Sequence, residues 1–431
     1  MFVPRSSILF VTGLLSAAAF AFLTEQSLAW NNDGSVAGLD FDTSETLTVA
    51  VPREFSGQKE RAVEIAWQYI VQNTRPETGL VDSVAGFPST TLWDQGSYLF
   101  ALIGARELGA IDEEEFDRRA KALLKSLGDL PLFDGKLPNK AYDTRSLAMV
   151  NYQNEVSENG IGWSALDVCR LLMAFRSLER LVPHYGAEIR SLLSGWDLAA
   201  MAKNGELWGA AIEDGEIVYL QEGRMGYEQY AARAAAMWGL DVFGAMSGQR
   251  VLQWVDVLGV EVPTDRRDAK RFTAISPILS EPYLLQAFEI GLDSETQIYA
   301  SRVYQAQENR YQRTGQLTSV SEDHVDQDPY FLYSSVMSDG AAWAVVTETG
   351  YPYPELRTIS TKASFGWNAL FSTEYSNKLV EHIYDLGKPD KGWPAGVYES
   401  DGRVNDVYTL NTNAVIIEAV HFSVFGPFWT R

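Results

Sequence analysis

The sequence predicts an all-α body built in layers, six helical hairpins with short β-hairpins among their loops. Three observations lead to it. Apolar residues recur at helical spacing through most of the chain: Ala62, Ile65, Ala66, Tyr69 and Ile70 form one such face, and Leu166, Cys169, Leu172, Phe175 and Leu178 another. Some stretches, 163–181 and 231–246 among them, are apolar nearly all round, the pattern of a helix enclosed by other helices. A loop carrying acidic, Asn or aromatic residues also runs repeatedly into the start of an apolar helix. It does so at Thr91-Leu92-Trp93-Asp94, Gly162-Trp163-Ser164, Gly226-Tyr227-Glu228, Ser280-Glu281-Pro282-Tyr283, Ser338-Asp339-Gly340 and Leu410-Asn411-Thr412-Asn413.

These starts lie roughly 55 to 72 residues apart, room for one inner helix, one outer helix and a loop. Hairpins of that kind make the buried helices run the same way, so their partially positive N-termini meet on one face. Cap chemistry supports several starts: Thr91 with Asp94, Ser164 with Asp167, and Ser280 before a Glu-Pro pair suited to a first helical turn. Two stretches read as β-hairpins, 207–219 around Glu213-Asp214-Gly215 and 397–410 around Ser400-Asp401-Gly402.

Ahead of this body, residues 1–29 hold Arg5, the apolar run Ile8 to Leu23, and Ser27-Leu28-Ala29. They read as a secretory signal, with an uncleaved N-terminal anchor as the alternative. Residues 30–56, rich in Asn, Asp, Gly, Ser and Thr, read as a linker, and 57–431 as the helical domain. The expected location is the periplasm or the exterior, with no membrane insertion after cleavage; oligomeric state is left open. The single cysteine, Cys169, falls in an apolar helical pattern and reads as core.

Charge narrows the ligands. Lys and Arg total 35 against 57 Asp and Glu, a net charge of −22, which repels phosphate backbones and anionic membranes. Nucleic acid is thereby excluded as a partner, and a neutral oligo- or polysaccharide is the ligand class left in view. His184, His324, His382 and His421 show no His-Glu-x-x-His spacing, and no Gly-x-Ser-x-Gly elbow occurs. Gly160-Ile161-Gly162 lacks the strand that a dinucleotide turn needs. Asp323, Asp326 and Asp328 lack the order of a calcium loop. No metal or cofactor is expected.

What remains is a set of acids beside Tyr, Trp, Gly or Asn in loops: Asp94, Glu155, Glu158, Glu222, Glu228, Glu281, Glu322, Asp323, Asp326 and Glu399. By contrast, Asp112-Glu113-Glu114-Glu115 reads as a solvated helix start. Glycoside hydrolysis is the chemistry that needs carboxylates and little else: one protonated to release the leaving oxygen, one ionised to activate water or attack carbon. Trp93, Trp163, Tyr227, Tyr330 and Trp393 are candidates to stack on sugar rings.

The strings 92–98 (LWDQGSY), 137–142 (LPNKAY), 160–167 (GIGWSALD), 221–228 (QEGRMGYE), Ser280-Glu281-Pro282-Tyr283, Ser321-Glu322-Asp323-His324 with Pro329-Tyr330-Phe331, and Tyr398-Glu399 with Asn411-Thr412-Asn413 resemble the DUF3131 family over about residues 55–428. The resemblance implies an (α/α)6 toroid with short β-hairpin loops on one face, similar to glucoamylase-like and endo-β-1,2-glucanase enzymes. It carries no catalytic pair. The residues themselves suggest an inverting glycoside hydrolase with Glu222 as general acid and Asp323 or Glu322 as base, and with the resemblance the expectation becomes a β-glucan endohydrolase. Asp94, Glu155, Glu228, Glu281, Glu399, Asn411 and Asn413 would bind substrate with Trp93, Trp163, Tyr227 and Tyr330. The alternative is a non-catalytic glycan-binding or scaffolding protein in polysaccharide assembly or export.

Overall fold

The fold is described from a computed structural model, which covers residues 46–267, 269 and 274–430; the signal reading and residues 30–45 of the linker lie outside them. Among the described residues eleven α-helices carry the body: α1 (Gln58–Asn73), α2 (Leu92–Glu107), α3 (Glu113–Asp129), α4 (Ala165–Leu181), α5 (Gly186–Leu193), α6 (Tyr227–Ala236), α7 (Glu281–Leu285, continuing as a π-turn over Gln286–Ile290), α8 (Ser294–Thr314), α9 (Thr361–Leu370), α10 (Glu374–Ile383) and α11 (Leu410–Phe425).

Six of them close a ring. Helix α2 packs on α4, α4 on α6, α6 on α7, α7 on α9, α9 on α11, and α11 back on α2. These helices bury residues on every side, as all-round apolar sequence requires: α11 buries a continuous run from Thr412 to Ser423. Outside the ring, α1 packs on α11, α3 on α2, α5 on α4, α8 on α7, and α10 on α9. Among the described residues the outer position between α6 and α7 holds a hairpin instead, β3 (Leu252–Val257) with β4 (Val260–Asp265), which packs against α8. Cys169 is fully buried.

Two further hairpins sit ahead of inner helices. Strands β1 (Glu206–Glu213) and β2 (Glu216–Gln221) turn through Asp214 and Gly215, both at positive φ. Strands β7 (Pro394–Tyr398) and β8 (Val404–Tyr408) precede α11. Between α8 and α9, β5 (Glu322–His324) pairs with β6 (Phe331–Ser334).

Two expectations are corrected. The fifth inner helix starts at Thr361, not at Ser338-Asp339-Gly340. Asp339 (φ 44°) and Gly340 (φ 86°) both adopt left-handed conformations and turn Met337–Ser338 back onto Ala341–Ala342. Asp-Gly is a hairpin signal, and it outweighs the resemblance to a cap. Likewise the apolar stretch 231–246 is helical only to Ala236, because Gly239 at φ 85° turns the chain. Residues 46–53, assigned to the linker, bond to the body: the Leu47 N–H donates to Ser301 Oγ (2.9 Å), Ala50 N–H to Leu370 O (2.7 Å) and Arg53 N–H to Ser423 O (2.8 Å). Among the described residues no helix is long and apolar enough to cross a membrane.

Candidate active site

The first turns of the inner helices are joined by their own side chains. Asp94 at the start of α2 accepts from Ser83 Oγ (2.5 Å) and Thr91 Oγ1 (2.9 Å), while its N–H is capped by Thr91. Asn411, in the first turn of α11, donates to Glu281 Oε1 of α7 (2.8 Å) and accepts from Ser97 of α2 (3.1 Å). Lys362 of α9 pairs with Glu281 and lies 3.7 Å from Asp323 on β5. Tyr227, the first residue of α6, donates its hydroxyl to Glu322 Oε1 (2.6 Å). One polar cluster therefore spans α2, α6, α7, α9, α11 and β5.

The α4 contribution is a carboxyl pair. Glu222, just past β2, accepts from Ser164 Oγ (2.7 Å) and from the Ala165 N–H (2.6 Å), so both its oxygens sit on the N-terminus of α4. Ser164 also lies 3.0 Å from Asp167 Oδ1. The one hydroxyl proton of Ser164 thus serves two carboxyls, which it holds close to each other. Two glycines allow the arrangement. A Cβ on Gly162 (φ 119°) would fall 1.9 Å from Ala210 O, and one on Gly209 would fall 2.5 Å from Glu222 Oε2. The second clash meets the movable end of a side chain. Gly209→Ala is therefore expected to displace Glu222 from the α4 N-terminus and, with Trp163 O also 3.2 Å from the added Cβ, to lower the melting temperature by a few degrees, as thermal denaturation beside wild type checks.

Burial and charge spread the protonation states apart. Burial, and after it the Glu281 charge, pushes Glu322 up to about 8. Burial raises Asp323 to about 7 against the pull of Lys362. Burial and then Glu222 raise Asp167 to about 7. Burial also pushes Glu222 and Asp94 upward, opposed by the donors on their oxygens. Glu281 goes the other way: burial raises it, but Lys362 and Arg170 together outweigh that and hold it low. Burial, and after it the Glu322 charge, raises the Tyr333 hydroxyl.

Below this cluster Arg170 of α4, wholly buried, lies 3.6 Å from Glu281, 3.4 Å from Glu289 and 3.0 Å from Glu418. Its guanidinium stacks 4.6 Å over the half-buried Trp93 ring, which meets Tyr227 edge-on at 5.4 Å. Tyr230 donates to Glu289.

Of the residues expected at the site, Asp94, Trp93, Glu222, Tyr227, Glu281, Glu322, Asp323 and Asn411 come together. Others do not. Glu228 is held by Arg267, and Glu399 by Arg310 (2.6 Å) and Arg357 (3.3 Å), ion pairs with no bond to the cluster. Glu155 is exposed and bonds Asn151 within its own loop (2.9 Å). Trp163 and Trp393 are fully buried, their indole N–H groups given to Trp208 O and Ala62 O, which corrects their reading as open stacking faces. Asn413 is also buried and spends both ends of its amide on Trp393 and Thr409. Tyr330 is 62% exposed, on the loop joining β5 and β6. Asp326 pairs with Arg403, away from Asp323. Among the described residues no group of three or more His, Cys, Asp or Glu could hold a metal ion.

Asp167, read only as a cap partner, and Arg170, Lys362, Glu289 and Glu418 are the additions. Three of them carried a sequence signal, a charge inside an all-round apolar helix: Arg170 in Val168-Cys169-Arg170-Leu171, Glu289 after Ala287-Phe288, and Glu418 in Ile416-Ile417-Glu418-Ala419.

Solved structures share this architecture. A candidate glucoamylase from Bacteroides caccae ATCC 43185 aligns with TM-score 0.63 and 12% identity, over 86% of this chain and 94% of that one. An endo-β-1,2-glucanase from Chitinophaga pinensis, in complex with sophorotriose and glucose, aligns with TM-score 0.60 and 13% identity over 86% and 93%. An endo-β-1,2-glucanase mutant from Talaromyces funiculosus, bound to β-1,2-glucan, aligns with TM-score 0.56 and 12% identity over 85% of each chain. At these identities the likeness establishes the glucoamylase-like toroid fold. No curated protein matches the chain in sequence. The model of DUF3131, a family described as of unknown function, matches residues 61–426, most of the chain, and the protein therefore belongs to that family.

Proposed function

We propose that the protein is a glycoside hydrolase acting on a neutral polysaccharide, an inverting β-glucan endohydrolase of the β-1,2-glucan kind, working outside the cytoplasm. The observation that carries this reading is the joining of Glu281, Glu322 and Asp323 through Asn411, Lys362 and Tyr227 at the inner-helix starts, and burial and charge there spread the carboxyls apart, with Glu322 raised to about 8, Asp167 to about 7 and Glu281 held low. The net charge of −22 and the Trp93–Tyr227 pair favour an uncharged ring.

The roles follow from hydrogen bonding. Glu322 is half-buried and receives the Tyr227 hydroxyl on Oε1, which leaves Oε2 to hold the proton that a general acid delivers to the leaving oxygen. Glu222 suits that role less than its place in the sequence suggests, because both its oxygens already accept from the α4 N-terminus. It acts instead as the ionised partner of Asp167, the half-buried group that takes the proton of the attacking water. Asp323 is only 4% exposed and tunes Lys362 and Glu322 from behind. Asn411 and Asp94 supply hydrogen bonds to hydroxyls.

Activity should rise as the Asp167–Glu222 pair loses its shared proton near pH 7 and fall as Glu322 loses its own near pH 8. A narrow bell in kcat against pH is the expected profile. The decisive experiment is hydrolysis of linear and cyclic glucans followed by reducing-end assay and mass spectrometry, with the first-formed anomer read by NMR. Initial α-anomer from a β-glucan supports inversion, and initial β-anomer overturns it. Saturable binding without any product favours the scaffolding alternative.

A further inference from the structure

The β1–β2 hairpin has two faces. Glu222 continues the face of Leu220 and Gly209 and meets the N-terminus of α4 there, through Ser164 and the Ala165 N–H. Trp208, Ala210 and Tyr219 share the other face, since Ala210 pairs directly with Tyr219 and Trp208 lies two residues along the same strand. There Trp208 and Tyr219 line a cavity of about 360 Å³ with Lys136, Lys203 and Asp197. That volume lies at the lower end of the range for small-molecule clefts, ~300 to 1,000 Å³.

The aromatic wall is held in place. Trp163 packs against Tyr219 with centroids 5.7 Å apart and donates its indole N–H to Trp208 O (3.1 Å). Tyr219 nevertheless keeps 45% of its surface exposed, and Trp208 is half-buried. The charges around them balance. Lys136 pairs with Asp134 (2.6 Å), and the exposed Asp197 lines the cavity together with Lys203, whose ammonium lies over the Trp208 ring, 4.7 Å from its centroid. An open cavity with the exposed Tyr219 ring, the Trp208 ring beneath the Lys203 ammonium, and both donors and acceptors matches the surface of a pyranose, apolar on its C–H faces and hydroxylated at its edge. A phosphate or carboxylate ligand would instead demand an uncompensated cation.

We propose that this cavity is a second saccharide site, taking one or two units of a neutral glycan outside the acidic cleft. The choice of glucan rests on the hydrolase reading above, but the site does not. It would hold a polymer chain beside the cleft and raise its local concentration there, so long substrates gain and short ones do not.

The test is calorimetric titration of the full chain with sophorose and with cellobiose, in the Glu322→Gln background so that nothing is turned over. Trp208→Ala and Tyr219→Ala are each expected to weaken one binding event at least tenfold, while Trp208→Phe, which keeps an aromatic face, restores it. In the otherwise wild-type protein Trp208→Ala should raise KM for long glucan several-fold and leave hydrolysis of a trisaccharide within twofold. Unchanged sugar binding in Trp208→Ala overturns the proposal. So does a Trp208-dependent response to inorganic phosphate but to no sugar, which would make the site anionic. Trp208-dependent sugar binding in a protein that hydrolyses no glucan leaves this site standing and removes the hydrolase reading.

Discussion

Glu322→Gln is expected to lower kcat on a β-glucan by 100- to 10,000-fold with the melting temperature almost unchanged, the range that removal of a general acid ordinarily costs. The amide keeps an oxygen to accept the Tyr227 hydroxyl, so the cleft retains its shape and loses only the transferable proton. A glucan with an activated leaving group, one that departs without protonation, should recover a large part of the lost rate. Near-wild-type turnover of native glucan by Glu322→Gln would move the acid elsewhere in the cluster. Tyr227→Phe is the milder companion: it strips a donor from Glu322 and should shift the alkaline limb of the pH profile without abolishing turnover.

The second large effect belongs to stability. Arg170 is the cation nearest Glu289 and Glu418 and shares Glu281 with Lys362, all of them buried. Replacing it by Met keeps much of its length but strands carboxylates in a dry interior, and removing one partner from such a network costs about 3–5 kcal/mol. The sign of the pH response follows. Without Arg170 the folded-state pKa values of Glu289 and Glu418 rise further above their unfolded values, and Glu281 loses one of the two cations that hold it low. The variant then regains stability as pH falls through those raised values and loses it as pH climbs. Denaturant titrations at about pH 5 and pH 8 should show the gap to wild type widening at the higher pH. A gap independent of pH would mean that packing against Trp93, and not charge, is what Arg170 supplies.

Much of the architecture could be read along the chain because its signals are local. Thr91, Ser164 and Thr409 cap inner helices through their own side chains, and all-round apolar stretches mark what lies inside. The fifth inner helix escaped because it opens with Ser360-Thr361-Lys362, a basic residue where the other starts offer acids or aromatics, and because Asp339-Gly340 imitates a start. The site was legible as a set of acids but not as a set of partners. Whether a glutamate faces a cleft or an arginine depends on residues far along the chain: Glu399 meets Arg310, and Glu228 meets Arg267. No local pattern separates these from Glu322. Trp163 and Trp393 show the same limit, since an aromatic at a helix start serves packing as readily as stacking.

The closing contact of the ring joins α2 near residue 100 to α11 near residue 415. Asn411 and Glu418, both on α11, bond or pair with groups from α2, α4 and α7. During synthesis, then, nothing resembling the finished cleft can exist until Leu410–Phe425 has left the ribosome. A chain stopped earlier would expose the apolar flanks of α2 and α9 and leave Arg170 and its acids half-matched.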